Sequence, residues 1–263
     1  MEESARSCQI ISVMGIKGGV GATTIAVNLA VSLAKNNNSK SVALLDMNIA
    51  GDIPFFLELE PLYSWEEITR NITRLDSIFL KSIMTVDGSG VSILPSPDYL
   101  DSKSMATPNT IESLLTVMQQ MFDFIVLDIG QLLNDTAFKI LNMSDRNIMI
   151  VLQSLPHLAK INKLMRMFKK LGYPDTNNIH IVVNRFMKNT NIDIPDMEHS
   201  LEKKIFWTIP NDCKTAITAI NKGLPLKKIA PNKEISRSFM QLAFCINGNT
   251  EEGEEKRKRW IFF

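Results

Sequence analysis

Residues 15–24 read Gly-Ile-Lys-Gly-Gly-Val-Gly-Ala-Thr-Thr, between a β-branched run at 9–14 and a stretch with helical apolar spacing at 23–35. A glycine loop at a strand-to-helix turn gathers backbone N–H groups and the positive end of the helix dipole at one point, and an anion belongs there. Gly18, Gly19 and Gly21, with Val20 between them, let phosphate oxygens approach without a Cβ in the way. Thr23 follows where a hydroxyl reaches a divalent cation such as Mg²⁺, and Thr24 lies one step further along the phosphates.

Beyond the loop, short apolar runs alternate with helical patterns, as in βαβ units. Strands are expected at residues 9–14, 41–46, 91–94, 124–128, 147–152, 179–184 and 204–207. Most are apolar throughout, as strands covered on both faces of a parallel sheet are. Helices are expected at 23–35, apolar at 25, 26, 29, 30 and 33, and at 156–171, apolar at 158, 161, 164, 165 and 168. The fold class this implies is α/β, a doubly wound P-loop NTPase fold with a mostly parallel sheet flanked by helices. Residues 9–246 read as one domain, with a polar end at 1–8 and a charged tail at 247–263.

The 29 Lys+Arg and 28 Asp+Glu leave a net charge of +1, which argues against a whole surface built for nucleic acid. Locally, Lys160, Lys163, Arg166, Lys169 and Lys170 line one face of the second helix, either as a solvated face or as a surface for an anionic partner. Cys8, Cys213 and Cys245 form no C-x-x-C pair and fit a reducing compartment. The polar first eight residues do not read as a signal peptide. No apolar run approaches the roughly 18 residues of a membrane span, so a cytoplasmic protein is expected. His157, His180 and His199 are isolated and read as surface or loop residues.

Lys17-Gly-Gly-Val-Gly21 followed by Thr23-Thr24 resembles the deviant Walker A loop of the ParA/MinD ATPases. The resemblance implies ATP and Mg²⁺ as cofactors and an ATP-dependent homodimer in which Lys17 reaches the partner's phosphates. Two positions depart from that loop. Ala22 stands where the phosphate-binding lysine is usual, and Ile16 where the first glycine is. A unit charge pair at 4 Å is worth about 4 kcal/mol at an effective dielectric of 20. Losing that cation therefore weakens the hold on phosphate, which the backbone, Mg²⁺ and Lys17 in trans still provide. The string K-G-G-V-G-A-T-T is similar to the CpaE/TadZ branch of pilus-assembly and localisation proteins, where that lysine is commonly replaced. Residues 94–97, Leu-Pro-Ser-Pro, and 219–225, Ala-Ile-Asn-Lys-Gly-Leu-Pro, look like that branch too.

Residues 45–52, Leu-Asp-Met-Asn-Ile-Ala-Gly-Asp, resemble the D-x-D and switch segment of the same family. The resemblance puts Asp46 near the metal shell, Asp52 at a switch, and Asn48 where a carboxylate orients or activates the attacking water. An amide positions water but does not accept its proton, so hydrolysis is expected to be weak. Asp46 also reads as a cap for the next turn. Residues 122–128, Phe-Asp-Phe-Ile-Val-Leu-Asp, resemble a Walker B strand, with Asp128 holding Mg²⁺ through water and Asp123 structural. By the same resemblance Asn184, in Val-Val-Asn-Arg-Phe at 182–186, meets the adenine edge. Pro210 and Asn211, in Ile-Pro-Asn-Asp at 209–212, close over the base. No cysteine lies where the family's reductases ligate a cluster, which excludes that branch.

The leading function is an ATP-binding, dimerising localisation or assembly factor for a pilus or secretion machine, contacting components of that machine. The rivals are an active ParA/MinD ATPase for DNA partition or division-site placement, and a nucleotide-free scaffold. Lys256, Arg257, Lys258 and Arg259 run into Trp260, Ile261, Phe262 and Phe263, a basic-aromatic end suited to peripheral membrane or partner contact, or else a frayed terminus.

Overall fold

The computed structural model describes residues 8–36, 40–48, 51–98, 106–131 and 133–248. The basic-aromatic end, Lys256, Arg257, Lys258, Arg259, Trp260 and Phe262, lies outside the described residues. Eight strands, β1 (Gln9–Gly15), β2 (Val42–Asp46), β3 (Thr85–Val86), β4 (Val91–Leu94), β5 (Phe124–Asp128), β6 (Arg146–Val151), β7 (Ile179–Phe186) and β8 (Ile205–Pro210), form one sheet. Their order is β3-β4-β2-β5-β1-β6-β7-β8. Among the described residues only β3 runs antiparallel to its neighbour; the other pairs are parallel.

The helices are α1 (Ala22–Asn36), α2 (Glu66–Arg70), α3 (Ser77–Ile83), α4 (Pro108–Gln119), α5 (Asp135–Met143), α6 (Leu155–Leu171), α7 (Ile194–Leu201), α8 (Cys213–Asn221), α9 (Leu226–Ile229) and α10 (Glu234–Ile246). Side chains alternate across the sheet, so each central strand feeds two cores. Ile10 and Met14 of β1 and Ile125 and Leu127 of β5 join a core covered by α2 to α7. Ile11 and Val13, with Phe124 and Val126, join one covered by α1, α8, α9 and α10. This double burial explains the continuous apolar strands.

Buried polar groups tie the layers where they cross. Ser12 of β1 donates to Asn147 Oδ1 of β6 at 2.6 Å, and Asn147 Nδ2 donates to Leu141 O at 3.0 Å. Trp207 Nε1 of β8 donates to Ser238 Oγ of α10 at 2.9 Å. Asn28 of α1 accepts from Leu226 N of α9 at 2.9 Å.

The observed strands depart from the expected ones mainly at their ends. β6 starts and stops one residue earlier, β7 continues to Phe186, and β8 runs to Pro210. β3 was not anticipated, because two residues carry no period. His157 corrects an expectation outright: it sits in the first turn of α6, 7% exposed, and its Nδ1 accepts from Leu152 N at 3.3 Å. His180 packs against Phe206 with ring centroids 4.6 Å apart and the planes tilted by 53°, and His199 is exposed. Lys163, Arg166, Lys169 and Lys170 are exposed on α6 as expected.

Asp123 is structural. Its carboxylate accepts from Ser41 N at 2.8 Å and Ser41 Oγ at 2.9 Å and pairs with Lys40 at 3.3 Å, pinning the start of β2 to that of β5. Burial opposes the charge, but the Ser41 donors and the Lys40 ammonium hold this carboxyl below the usual range. Because the folded value is lowered, the stabilisation is present at neutral pH and is lost as pH falls through that lowered value. Asp123→Ala is expected to cost about 1–3 kcal/mol in urea unfolding at pH 7, with the gap to wild type narrowing in acid.

Candidate functional site

The segments leaving β1, β2 and β5, with the end of β7, enclose a cavity of about 380 Å³. Gly15 and residues 17–24 line it, with Asn48, Phe56, Gly130, Gln131 and Arg185. It opens beside β1, between β5 and β6, where the strand order reverses direction and open α/β sheets hold their ligands.

The loop is pinned at both ends. Gly15 N donates to Gly130 O at 2.9 Å and Ile16 N to Ile150 O at 3.1 Å. Gly19 and Gly21 have φ of +75° and +91°, a region that L side chains avoid. At Gly21 a Cβ would also fall 2.6 Å from Asn184 Nδ2. The first helical bond of α1 runs from Ile25 N to Gly21 O at 3.0 Å. The amides of Ala22, Thr23 and Thr24 precede it and have no intrahelical acceptor. No acidic residue occupies that first turn, so the positive end of the dipole is not offset.

Behind the loop stand two carboxylates in neighbouring strands, Asp46 and Asp128, paired in register and both fully buried. Asp128 Oδ2 accepts from Thr23 Oγ1 at 2.5 Å, and Oδ1 accepts from Gly130 N at 3.1 Å. Asp46 accepts from Asn48 N at 3.1 Å and Ile53 N at 3.2 Å, so it does cap the next turn. Burial raises both carboxyls; for Asp46, with the Asp128 charge adding to it, the value is pushed up to about 7.

A hydroxyl and two carboxylates beside a bed of amides are hard oxygen donors, which fits a small divalent cation that keeps several waters. Among the described residues no group of three His, Cys, Asp or Glu gathers into an all-protein metal cage.

Not every expected residue meets the cavity. Lys17, Gly18, Gly19, Val20, Gly21, Ala22, Thr23, Thr24 and Asn48 line it. Asn184 lies beneath the loop, its Nδ2 donating to Val20 O at 2.7 Å and its Oδ1 accepting from Arg185 N at 2.8 Å. Pro210 ends β8, and Asn211 N donates to Phe186 O at 3.0 Å; neither lines the cavity. Asp52 is exposed at the head of a 3-10 turn, Ile53–Leu57, also outside the lining.

Sequence reasoning gave no role to Gln131, Phe56 or Arg185, all of which line the cavity. Arg185 had a signal, its place beside Asn184 at the end of an apolar strand. The other two follow loops whose path the sequence does not specify. Lys17 also acts outside the loop: with burial first, its charge helps hold the His157 imidazole below its usual range.

The family model described as an AAA domain, AAA_31, matches residues 8–181. The septum site-determining protein MinD of Thermotoga maritima is 27% identical over 247 residues, covering 91% of this chain and 88% of that protein. A ParA family ATPase from Chlorobium tepidum TLS superposes with a TM-score of 0.83 at 22% identity, covering 90% of this chain and 98% of that one. MinD from Pyrococcus horikoshii, solved in complex with Mg-ADP, gives 0.76 at 20% identity, covering 94% and 98%.

The raised Asp46 carboxyl sets a pH dependence for the metal-free protein. A folded state that holds its proton more tightly than the unfolded chain loses stability as pH rises. Unfolding free energy measured in chelator is expected to decline from about pH 4 toward about pH 7, the value to which burial and Asp128 push this group. Asp46→Asn should flatten that decline; an unchanged slope would place the proton elsewhere.

Proposed function

The chain belongs to the AAA_31 family of AAA domains, within the ParA/MinD P-loop ATPase superfamily, and on that premise we propose that it binds ATP with Mg²⁺ and pairs with a second copy when loaded. We assign it to the CpaE/TadZ type, a cytoplasmic localisation or assembly factor for a pilus or secretion machine, with slow or absent hydrolysis. The observation that carries nucleotide binding is the cradle itself: left-handed Gly19 and Gly21, the open first-turn amides of α1, and Thr23 bonded to Asp128.

In this reading Gly18, Gly19, Gly21 and the amides of residues 22–24 bind phosphate oxygens. Thr23 and Asp128, with Asp46 adjoining, would hold Mg²⁺, which when bound supplies charge neutralisation between the phosphates. Lys17 stands half-buried at the mouth of the loop, available to a second copy's phosphates. In the same reading the base side of the site is assigned to the ends of β7 and β8, where Asn184 anchors the loop and Pro210 and Asn211 lie beyond the cavity lining, and Asp52 is assigned to the switch that follows β2.

Slow chemistry rests on two side chains. Ala22 brings no cation to the phosphates. Asn48 reaches the cavity over Gly130, where a Cβ would lie 2.6 Å from Asn48 Oδ1, so an amide stands where a base would act. The CpaE/TadZ assignment rests on the loop string and the segments at 94–97 and 219–225. The likeness to MinD over 91% of the chain favours the rival, an active ATPase, which differs in having turnover that a partner, DNA or lipid accelerates.

Titration with ATP·Mg²⁺ and size measurement on wild type and Lys17→Ala tests the core of the reading. Wild type is expected to bind and to shift to dimer size, and Lys17→Ala to bind while staying monomeric. Absence of both binding and dimer in wild type overturns the proposal, and stimulated turnover replaces it with the active ATPase. For the basic-aromatic end, co-sedimentation with anionic liposomes should fall when residues 256–263 are removed; equal pelleting of both forms removes membrane contact from the account.

A further inference from the structure

Among the described residues the cavity lining carries two cations, Lys17 and Arg185, and no carboxylate. Arg185 is held there by an unusual backbone. Its φ is +50°, left-handed for a residue with a side chain, a strained conformation that persists where the surroundings enforce it. The pairing of β7 with β8 is irregular between Val183 and Phe186, and such breaks in a ladder re-aim side chains.

The re-aimed guanidinium donates to Gly19 O at 2.9 Å, next to the Asn184 bond to Val20 O. Two successive residues at the end of β7 thus grip two successive carbonyls of the loop. Asn184 is buried, with its Nδ2 committed to the loop and its Oδ1 to the backbone N–H of Arg185. Arg185 is exposed, and a guanidinium has five N–H donors in a planar fork, so one bond to Gly19 leaves four. That fork matches phosphate oxygens, two at a time. Across the cavity, α1 opens with the methyl of Ala22.

We propose that Arg185 is the phosphate-binding cation supplied in cis, reaching the phosphates of the bound nucleoside triphosphate from β7, a task Ala22 cannot perform. This rests on the nucleotide reading above and goes beyond it by naming the residue that makes the loop workable. Loop anchoring and phosphate binding differ in one respect: anchoring needs an N–H donor, whereas phosphate binding needs the charge.

The test measures ATP·Mg²⁺ affinity for wild type, Arg185→Ala, Arg185→Gln, and Arg185→Ala combined with Ala22→Lys, with thermal melting to confirm folding. Arg185→Gln keeps a donor for Gly19 O but no charge. It is expected to bind at least tenfold more weakly than wild type, as Arg185→Ala does, and adding Ala22→Lys should recover most of the loss. Wild-type affinity in Arg185→Gln, or no recovery in the well-folded double variant, overturns the role of Arg185 while leaving nucleotide binding standing. Wild type that binds no ATP overturns the nucleotide reading, and the role of Arg185 with it.

Discussion

The hydrogen bond from Thr23 to Asp128 joins the first turn of α1 to the end of β5, and much else follows from it. Asp128 is fully buried, and a carboxylate out of water needs donors or must take up a proton. Thr23 and the Gly130 amide provide those donors, which fixes where the helix begins relative to the sheet. With the helix start fixed, six residues, 16–21, must cover the distance from the end of β1, and the left-handed turns at Gly19 and Gly21 are how they do so. Asp46, one strand away, then shares a poorly solvated space with another carboxyl, which is why it holds its proton to about 7.

Charge around the cavity is arranged asymmetrically. Anionic groups sit behind the loop, in the sheet, and both lining cations sit at its rim. A triphosphate entering between them would meet positive charge first, with the carboxylates screened by Thr23 and available only to a cation. Removing a lysine from the helix start does not undo this arrangement, because the rim cations come from other elements. With Ala22 at the helix start, the cations beside the cavity come from the loop and from the end of β7.

The strands were legible in the sequence because both faces of the sheet are covered, which turns each into an unbroken apolar run such as Phe124 to Asp128. The loop was legible because its glycines answer a backbone demand that no other residue meets cheaply. The ends of β7 and β8 were not, since the irregular pairing between them depends on tertiary contacts and keeps polar Asn184 and Arg185 inside a strand. The burial of His157 is illegible for a related reason: a lone imidazole carries no periodic signal, and its burial comes from the turn at Leu152 bending back onto α6. Arg185 was visible as a letter beside Asn184, but its role depends on a backbone angle, which a letter does not carry.

The short antiparallel strand β3 bears on how copies of this molecule can meet. A sheet margin normally offers a row of unpaired amides and carbonyls to which another chain can add. Here one margin is only two residues long and turns back at once through Asp87, whose carboxylate accepts from Ser89 N, Ser89 Oγ and Val91 N. Growth of the sheet into a neighbouring molecule is blunted on that side. Any molecule meeting the sheet on that side finds side chains and a tight turn rather than a row of open backbone groups.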